Sequence, residues 1–386
     1  MVFFKTFEFE FEARRLMWYA PNGGSDFAEV SKTCEKIKEG NYDSWYKEWK
    51  TCSDQLLIRS KEYSEQISRG QACLRASRYY QAAEFFLHPT DSRKFKAYQD
   101  SVDSFYKGLH FLNVPYQLSA VSYDGISLRT VLFKTPKRQY KGTLFVCGGF
   151  DALLEELYFT TVKPALLVGY HVVLFEGPGQ SDCIRKYGAT FTPNWSKVCE
   201  VVVNQYKDAL LAPRIGIGLS LGGLLMARAQ AKNPNLFDRL VLYNYFPNVL
   251  ASFKKGMPRL FYRFVDSQFP PLLEKIASFY ISKQAFLNWQ VEHAKWTFGA
   301  NRLNQLLATC RDFEELTLKT PTLVCLAKKD NYYDYTLGID YFNSIQSHQK
   351  KLIIFDKSHF SSDLHCQNGA AYDTNDEIFD WLSKSL

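Results

Sequence analysis

The sequence of 386 residues predicts an α/β protein: a mostly parallel, eight-stranded sheet preceded by a helical N-terminal domain. Apolar residues recur at helical spacing in the first third of the chain. The remainder alternates short apolar runs with stretches that are long enough for crossover helices. A third observation is the pentapeptide Gly-Leu-Ser-Leu-Gly at residues 218–222, which lies between an apolar run and a helical one.

Composition sets the broad class of the protein. Hydrophobic residues make up 46% of the chain, enough for one large core and a smaller attached unit. The net charge of +7 is spread among interspersed acidic and basic residues, which is typical of a solvated surface and not of a nucleic-acid site. The nine cysteines are scattered singly, and neither a signal peptide nor an apolar membrane span is evident. We therefore expect a soluble, cytoplasmic protein that binds neither nucleic acid nor membrane.

The N-terminal region, residues 1–115, is expected to be a small helical domain. Apolar stripes predict one helix over residues 43–69 that Gly70 ends, and two more over residues 71–87 and 91–112. Successive helices joined by short turns form a bundle whose apolar faces need burial.

Residues 116–386 are expected to form the α/β domain. The first two strands alternate as a hairpin around Asp124-Gly125. The eight predicted strands are 117–123, 127–134, 143–147, 171–175, 215–217, 240–243, 322–326 and 352–355. The connection at residues 246–319 is too long for a bare loop, so it should hold helices of its own and form a lid over the carboxyl ends of the strands.

Ser220 is the candidate nucleophile. A G-x-S-x-G sequence between a strand and a helix forms a tight turn with the serine hydroxyl at its tip, and its glycines avoid the clash that a Cβ would cause. The amino end of the following helix points unpaired N–H groups towards any negative charge that develops on a substrate oxygen.

A serine nucleophile needs a base and an acid that orients the base. Asp330 follows the seventh strand, where the acid belongs, and Asp334 is close enough to be an alternative. Two histidines follow the eighth strand. Spacing alone favours His359 over His365, and the residues themselves leave both open.

Backbone N–H groups should hold the substrate oxyanion. Leu221, directly after the nucleophile, supplies one donor, and Phe150, in the loop after the third strand, is expected to supply the second. Gly149 and Asp151 in the same loop are candidate substrate-binding residues. Glu176 opens a stiff turn after the fourth strand that is either structural or part of the pocket lining.

A metal site built from His359, Asp363 and His365 is conceivable from residue types alone. No other ligand-type residues converge on these three, so the sequence predicts no metal.

Several motifs together resemble a known group, the α/β hydrolases that include 2,6-dihydroxypseudooxynicotine hydrolase and the fungal pigment enzymes that shorten a polyketide chain. The resemblance extends from about residue 40 to the C-terminus. The motifs are Gly40-Asn41-Tyr42-Asp43-Ser44-Trp45-Tyr46-Lys47-Glu48-Trp49, the run from Leu74 to Leu87, Gly148-Gly149-Phe150-Asp151, Glu176-Gly177-Pro178-Gly179-Gln180, the serine elbow and His365-Cys366-Gln367.

The resemblance implies an N-terminal helical cap on an α/β-hydrolase core, a Ser-Asp-His triad, no cofactor and often a homodimer. It also implies that the base is His365, in the His-Cys-Gln motif, which leaves His359 without a counterpart. The chain departs from the group at Ser181, where a glycine is usual, and in its first forty residues.

The resemblance further implies cleavage of a carbon–carbon bond next to a carbonyl or of an ester, with a small acyl molecule as the substrate. We rank the first reaction slightly ahead of the second. An acyltransferase or cyclase would use the same triad with an alcohol or amine in place of water. A non-catalytic binding protein on this fold is the remaining alternative.

Overall fold

The structure is a computed structural model that describes residues 2–207, 210, 212–359 and 362–384. The chain divides into two compact units. A helical unit holds residues 2–115 and 158–163, and an α/β unit holds the other described residues.

The helical unit is built on aromatic side chains that pack between long helices. Trp45 and Trp49 are fully buried, and the Trp45 indole Nε1 donates a 2.7 Å hydrogen bond to the carbonyl oxygen of Ala82. Asn41 begins the third helix by accepting a hydrogen bond from the Ser44 N–H at 2.8 Å, as helix-capping residues do. The helices are α1 Phe7–Tyr19, α2 Phe27–Cys34, α3 Tyr42–Glu62, α4 Gln66–Phe85 and α5 Ser92–Phe111.

The break between the helices predicted over residues 43–69 and 71–87 was placed wrongly: α3 ends at Glu62, α4 begins at Gln66, and Gly70 lies inside α4 instead of ending a helix. The helix α3 ends because Tyr63 has an extended backbone conformation. No glycine or proline immediately beside Tyr63 predicts this end from the sequence. Gly70 is required for packing. A Cβ there would lie 2.5 Å from Leu112 Cγ and 3.0 Å from the Gly108 carbonyl oxygen, where α5 crosses α4.

The α/β unit contains the predicted mostly parallel sheet. Within the described residues the strands form one eight-stranded sheet in the order β1-β2-β4-β3-β5-β6-β7-β8. β1 and β2 form the predicted antiparallel hairpin, and the strands from β3 to β8 run parallel to one another. Their bounds are β1 Gln117–Tyr123, β2 Ile126–Phe133, β3 Thr143–Cys147, β4 His171–Phe175, β5 Arg214–Leu219, β6 Arg239–Tyr243, β7 Thr322–Ala327 and β8 Lys350–Phe355.

Helices separate the parallel strands, and five of them lie in the long connection between β6 and β7, as predicted. No helix in the described part of the chain is both long and apolar enough to cross a bilayer. The helices are α6 Lys163–Val168, α7 Ser181–Tyr187, α8 Trp195–Tyr206, α9 Leu221–Lys232, α10 Val249–Gly256, α11 Tyr262–Asp266, α12 Pro271–Ser282, α13 Ala285–Phe298, α14 Leu303–Arg311, α15 Thr336–Ser344 and α16 Ala371–Lys384.

The helix crossing at Gly70 generates a stability prediction. Alanine normally stabilises a helix interior over glycine by about 0.5–1 kcal/mol. Because the added methyl group would overlap Leu112, we expect Gly70→Ala to lower the free energy of unfolding by about 1–3 kcal/mol. The measurement is thermal unfolding, with Gln71→Ala at the exposed neighbouring position as the control that should leave Tm nearly unchanged. A Tm raised by Gly70→Ala would contradict the packing argument.

Candidate active site

Ser220 lies at the tip of a left-handed turn between β5 and α9. Its φ and ψ are 56° and −123°, a combination that a serine adopts only under strain. Its N–H donates to the Tyr243 carbonyl oxygen at 2.9 Å, which fixes the turn to β6. Both flanking glycines are sterically required. A Cβ on Gly218 would lie 2.2 Å from the Gly222 carbonyl oxygen, and one on Gly222 would lie 2.4 Å from that of Gly148.

His365 bridges the serine and the acid. Its Nε2 lies 2.7 Å from Ser220 Oγ, and its Nδ1 lies 2.5 Å from Asp330 Oδ2. A carboxylate only accepts hydrogen bonds, so Nδ1 carries the proton donated to Asp330. In the neutral ring, Nε2 is therefore left to accept the hydroxyl proton of Ser220.

Asp330 is held on both of its carboxylate oxygens. Oδ1 accepts from the Tyr332 N–H at 2.8 Å and the Tyr333 N–H at 3.3 Å, while Oδ2 accepts from the Asn244 side-chain amide at 2.8 Å. The residue is only 4% exposed. The carboxylate thus has one orientation towards His365.

Sequence reasoning missed a role for two side chains at this site. Asn244 follows β6 directly, is fully buried and has a φ of 54°. Its side-chain oxygen accepts a 2.8 Å hydrogen bond from Gln367 Nε2, and its amide nitrogen donates to Asp330. The sequence drew attention to Gln367 only as a member of the His-Cys-Gln motif and gave it no role of its own. Asn244 could have been singled out because it directly follows β6, the neighbour of the strand β7 that Asp330 follows.

The histidine and aspartate that remained as alternatives have other partners. His359 Nδ1 lies 3.2 Å from Ser358 Oγ and 3.7 Å from Asp356 Oδ1. Asp334 is exposed and accepts hydrogen bonds from the N–H and the hydroxyl of Thr336 at the start of α15, at 3.0 and 2.8 Å. These bonds hold the pKa of Asp334 below its ordinary value.

The loop after β3 lies against the serine. A Cβ on Gly149 would lie 2.9 Å from Ser220 Cβ and 3.3 Å from Ser220 Oγ, so only glycine allows this approach. Phe150 is next in this loop, and Leu221 is the first residue of α9. Within the described residues, the backbone N–H groups of Phe150 and Leu221 donate to no protein acceptor. Asp151 is half-buried in the same loop.

Glu176 belongs to a buried ion cluster. The Arg129 guanidinium lies 2.6 Å from Glu155, 2.9 Å from Glu176 and 2.9 Å from Asp182. Burial raises the pKa of Glu176 to about 7, although the charge of Arg129 acts in the opposite direction. Its carboxylate is thus committed to Arg129, and a role in substrate binding stays a prediction.

Aromatic rings from the loop after β7 and from the long insertion lie next to His365. The Tyr332 ring lies 4.8 Å from the His365 ring, and the Phe246 ring, just before α10, lies 6.3 Å from it. The Phe150 ring, in the loop after β3, lies 4.8 Å from the His293 ring of α13. Aromatic rings thus lie beside His365 and in the loop that approaches Ser220.

Among the described residues, no group of three or more histidine, cysteine or acidic side chains could hold a metal ion. Asp363, one of the conceivable ligands, pairs with Lys329 at 2.7 Å instead.

Comparisons with known proteins place the chain in a family. The sequence model of the hydrolase family described as serine aminopeptidase, S33, matches residues 162–359. The chain belongs to this S33 hydrolase family. The matched segment contains Ser220 and Asp330 and ends before His365.

Similar proteins cover nearly the whole of this S33-family hydrolase. It is 28% identical to Hydrolase LUC6 of a Fusarium species, over 100% of this chain and 98% of that one. It is also 28% identical to the 20-hydroxy-prefusarin hydrolase FUS2 of Gibberella moniliformis, over 98% and 96%. A crystal structure of 2,6-dihydroxy-pseudo-oxynicotine hydrolase superposes with a TM-score of 0.68 at 17% identity, covering 96% of this chain and 94% of that one. The predicted fold class and the predicted resemblance are confirmed.

The electrostatics of His365 generate a prediction that needs no substrate. Burial by itself lowers the pKa of His365, but the adjacent Asp330 carboxylate raises it well above 6.5. Protonated His365 therefore stabilises the folded protein fully below about pH 6.5, and this contribution is lost as the pH rises through the folded-state pKa. Imidazole NMR titration should give a pKa above 6.5 that falls in Asp330→Asn. An equal pKa in both proteins would contradict the coupling.

Proposed function

We propose that Ser220, His365 and Asp330 form a catalytic triad with which this S33-family hydrolase attacks the carbonyl group of a small acyl substrate. The observation that carries the proposal is the unbroken pair of hydrogen bonds from Ser220 Oγ to His365 and from His365 to Asp330, at 2.7 and 2.5 Å. A serine hydroxyl becomes an effective nucleophile when a positioned base removes its proton and a carboxylate orients that base.

In the first step, Ser220 Oγ bonds to the carbonyl carbon while its proton moves to His365 Nε2. Asp330 stabilises the imidazolium that forms. The carbonyl oxygen takes up the electron pair and becomes an oxyanion, which the N–H groups of Leu221 and Phe150 are proposed to bind. The amino end of α9 adds a favourable dipole at the same place.

In the second step, the oxyanion collapses and the bond to the leaving group breaks. The leaving group takes the electron pair of that bond, and His365 Nε2 supplies its proton, which leaves an acyl group on Ser220. A water molecule then gives a proton to His365 Nε2 while its oxygen bonds to the acyl carbon. The second oxyanion collapses, the bond from that carbon to Ser220 Oγ breaks, and His365 returns the proton to Oγ, so that a carboxylic acid is released and free Ser220 is regenerated. The same sequence serves a carbanion leaving group, from a carbon–carbon bond next to a ketone, and an alkoxide from an ester.

The substrate class is argued from the surface of the site and from the relatives. Tyr332, Phe246 and Phe150 give the neighbourhood of Ser220 an aromatic character suited to flat or acyl-chain molecules. One relative is named a 20-hydroxy-prefusarin hydrolase. From the family resemblance we rank cleavage of a carbon–carbon bond next to a ketone slightly ahead of ester cleavage.

Two further proposals concern organisation. Residues 1–115 are proposed to act as a helical cap domain and residues 116–386 as the catalytic domain. A homodimer is proposed from the family resemblance, and light scattering of the purified protein tests it directly: a mass of one chain, 44.7 kDa, would refute it.

The triad generates a kinetic prediction. Ser220→Ala and His365→Ala should each lower kcat/KM by roughly 10³-fold or more on any turned-over ester or β-diketone, because each removes a group that acts in the transition state. His359→Ala is the matched control, since its ring faces Asp356, and it should retain the wild-type rate. Steady-state kinetics on a panel of both substrate classes makes the measurement. Loss of activity in His359→Ala with a retained rate in His365→Ala would refute the assignment of the base.

A further inference from the structure

The side chain of Gln180 joins the turn after β4 to the loop after β3 that approaches Ser220. Gln180 ends the Glu-Gly-Pro-Gly-Gln turn after β4 and is only 4% exposed. Its Nε2 donates to the Gly148 carbonyl oxygen at 2.6 Å and to that of Gly149 at 3.1 Å. Its Oε1 accepts from the Gly177 N–H at 3.2 Å. Carbonyl oxygens only accept and the backbone N–H only donates, so the chemistry of the partners fixes which end of the amide faces which loop.

These bonds fix a peptide plane next to the nucleophile. The carbonyl oxygen of Gly149 and the N–H of Phe150 belong to one peptide group, which is planar and trans, so the two bonds point in opposite directions. A contact that holds the Gly149 oxygen therefore also directs the Phe150 N–H. Gly149 itself packs against Ser220, at the distances that leave no room for a Cβ.

The two glycines of this loop make it necessary that another group hold the 149–150 peptide in one orientation. Gly148 and Gly149 place no Cβ on the loop, so their peptide groups can rotate more freely than those of other residues. A rotated 149–150 peptide would turn its carbonyl oxygen, instead of its N–H, towards a substrate oxyanion. An acceptor there would repel the negative charge that a donor stabilises.

The turn that carries Gln180 is itself rigid. The Gln180 N–H donates to the Gly177 carbonyl oxygen at 3.0 Å, and the Gly179 N–H donates to that of Ala189 at 2.7 Å. Gly179 has a φ of +90°, with the Phe191 ring so close that a Cβ would lie 2.4 Å from it. Glu176, at the start of the turn, is tied to Arg129 at 2.9 Å. The Gln180 amide is thus a fixed donor instead of a mobile surface group.

We propose that Gln180 is a positioning residue that sets the direction of the Phe150 N–H and so completes the oxyanion site. The proposal rests on the proposed function, because it assigns a role only if Ser220 forms a tetrahedral intermediate. Gln180 does not contact the reacting atoms. It acts through the 149–150 peptide group.

The test uses a charged and an uncharged replacement of similar size, Gln180→Glu and Gln180→Met, in the full-length protein. Methionine has no hydrogen-bond donor in its side chain, and an ionised glutamate carboxylate only accepts. Neither replacement can therefore donate to the carbonyl oxygens of Gly148 and Gly149. Gln230 offers the matched control, since it is another buried glutamine whose Nε2 donates to the carbonyl oxygens of Pro234 and Phe237, both at 2.9 Å. Gln230→Glu and Gln230→Met measure the cost of losing a buried amide whose hydrogen-bond partners are Pro234, Phe237 and Thr320.

We expect both Gln180 variants to lower kcat by about 10–100-fold, less than the complete loss of an oxyanion donor, while KM changes little. Binding of an alkyl boronic acid, which becomes tetrahedral on Ser220, should weaken by a similar factor. The acid limb of the pH–rate profile should not move, because His365 and Asp330 are untouched. The Gln230 variants should lower Tm at least as much while keeping kcat near that of the wild type.

The proposal is overturned if folded Gln180→Met retains kcat and boronate affinity within about threefold of the wild type. It is also overturned if the Gln230 variants lose kcat to the same extent, since the effect would then be one of general stability. If Gln180→Glu does not fold, the kcat and boronate affinity of Gln180→Met test the proposal by themselves. Wild type and Ser220→Ala are assayed together, so an absence of Ser220-dependent turnover is recognised as a failure of the proposed function itself.

Discussion

The left-handed turn at Ser220 is the constraint on which the rest of the site depends. A non-glycine residue in such a conformation costs about 1–3 kcal/mol, and it persists only where the surroundings enforce it. Here β5 lies in the interior of the sheet between β3 and β6, and α9 begins immediately after the turn. Gly218 and Gly222 remove the side chains that would push the two elements apart. The serine hydroxyl is consequently presented at a fixed point.

The parallel sheet brings the other groups to that point. Because parallel strands end at the same edge, the residues that follow β3, β6, β7 and β8 lie near the residue that follows β5. The glycine loop, Asn244, Asp330 and His365 all come from such strand ends. Hydrogen bonds then supply the finer order: Asn244 and two backbone N–H groups orient Asp330, and Asp330 orients His365. Polar groups outside the proposed triad, such as the Asn244 amide, thus help to determine the geometry of the proposed triad.

Much of this could be predicted from the sequence, and the exceptions have physical reasons. Strand positions and the serine elbow depend on local periodicity and on glycine sterics, which a single chain displays. The choice between His359 and His365 could not be made from spacing, since a loop after a strand can direct either residue back to the serine; only the family resemblance favoured His365. The helix end predicted at Gly70 was wrong because glycine occurs both at helix ends and where two helices pack closely, as α4 and α5 do here. Asn244 was missed because its partners are distant in sequence, and the assigned catalytic roles themselves stay predictions.

The measurement that tests the central claim most directly is intact-mass analysis of the wild-type protein and of Ser220→Ala after treatment with a fluorophosphonate probe. Such probes react with a serine whose hydroxyl is activated by a neighbouring base. The account predicts one adduct on the wild-type protein and none on Ser220→Ala. An unlabelled wild-type protein, or an adduct that persists in Ser220→Ala, would contradict an assembled triad at Ser220.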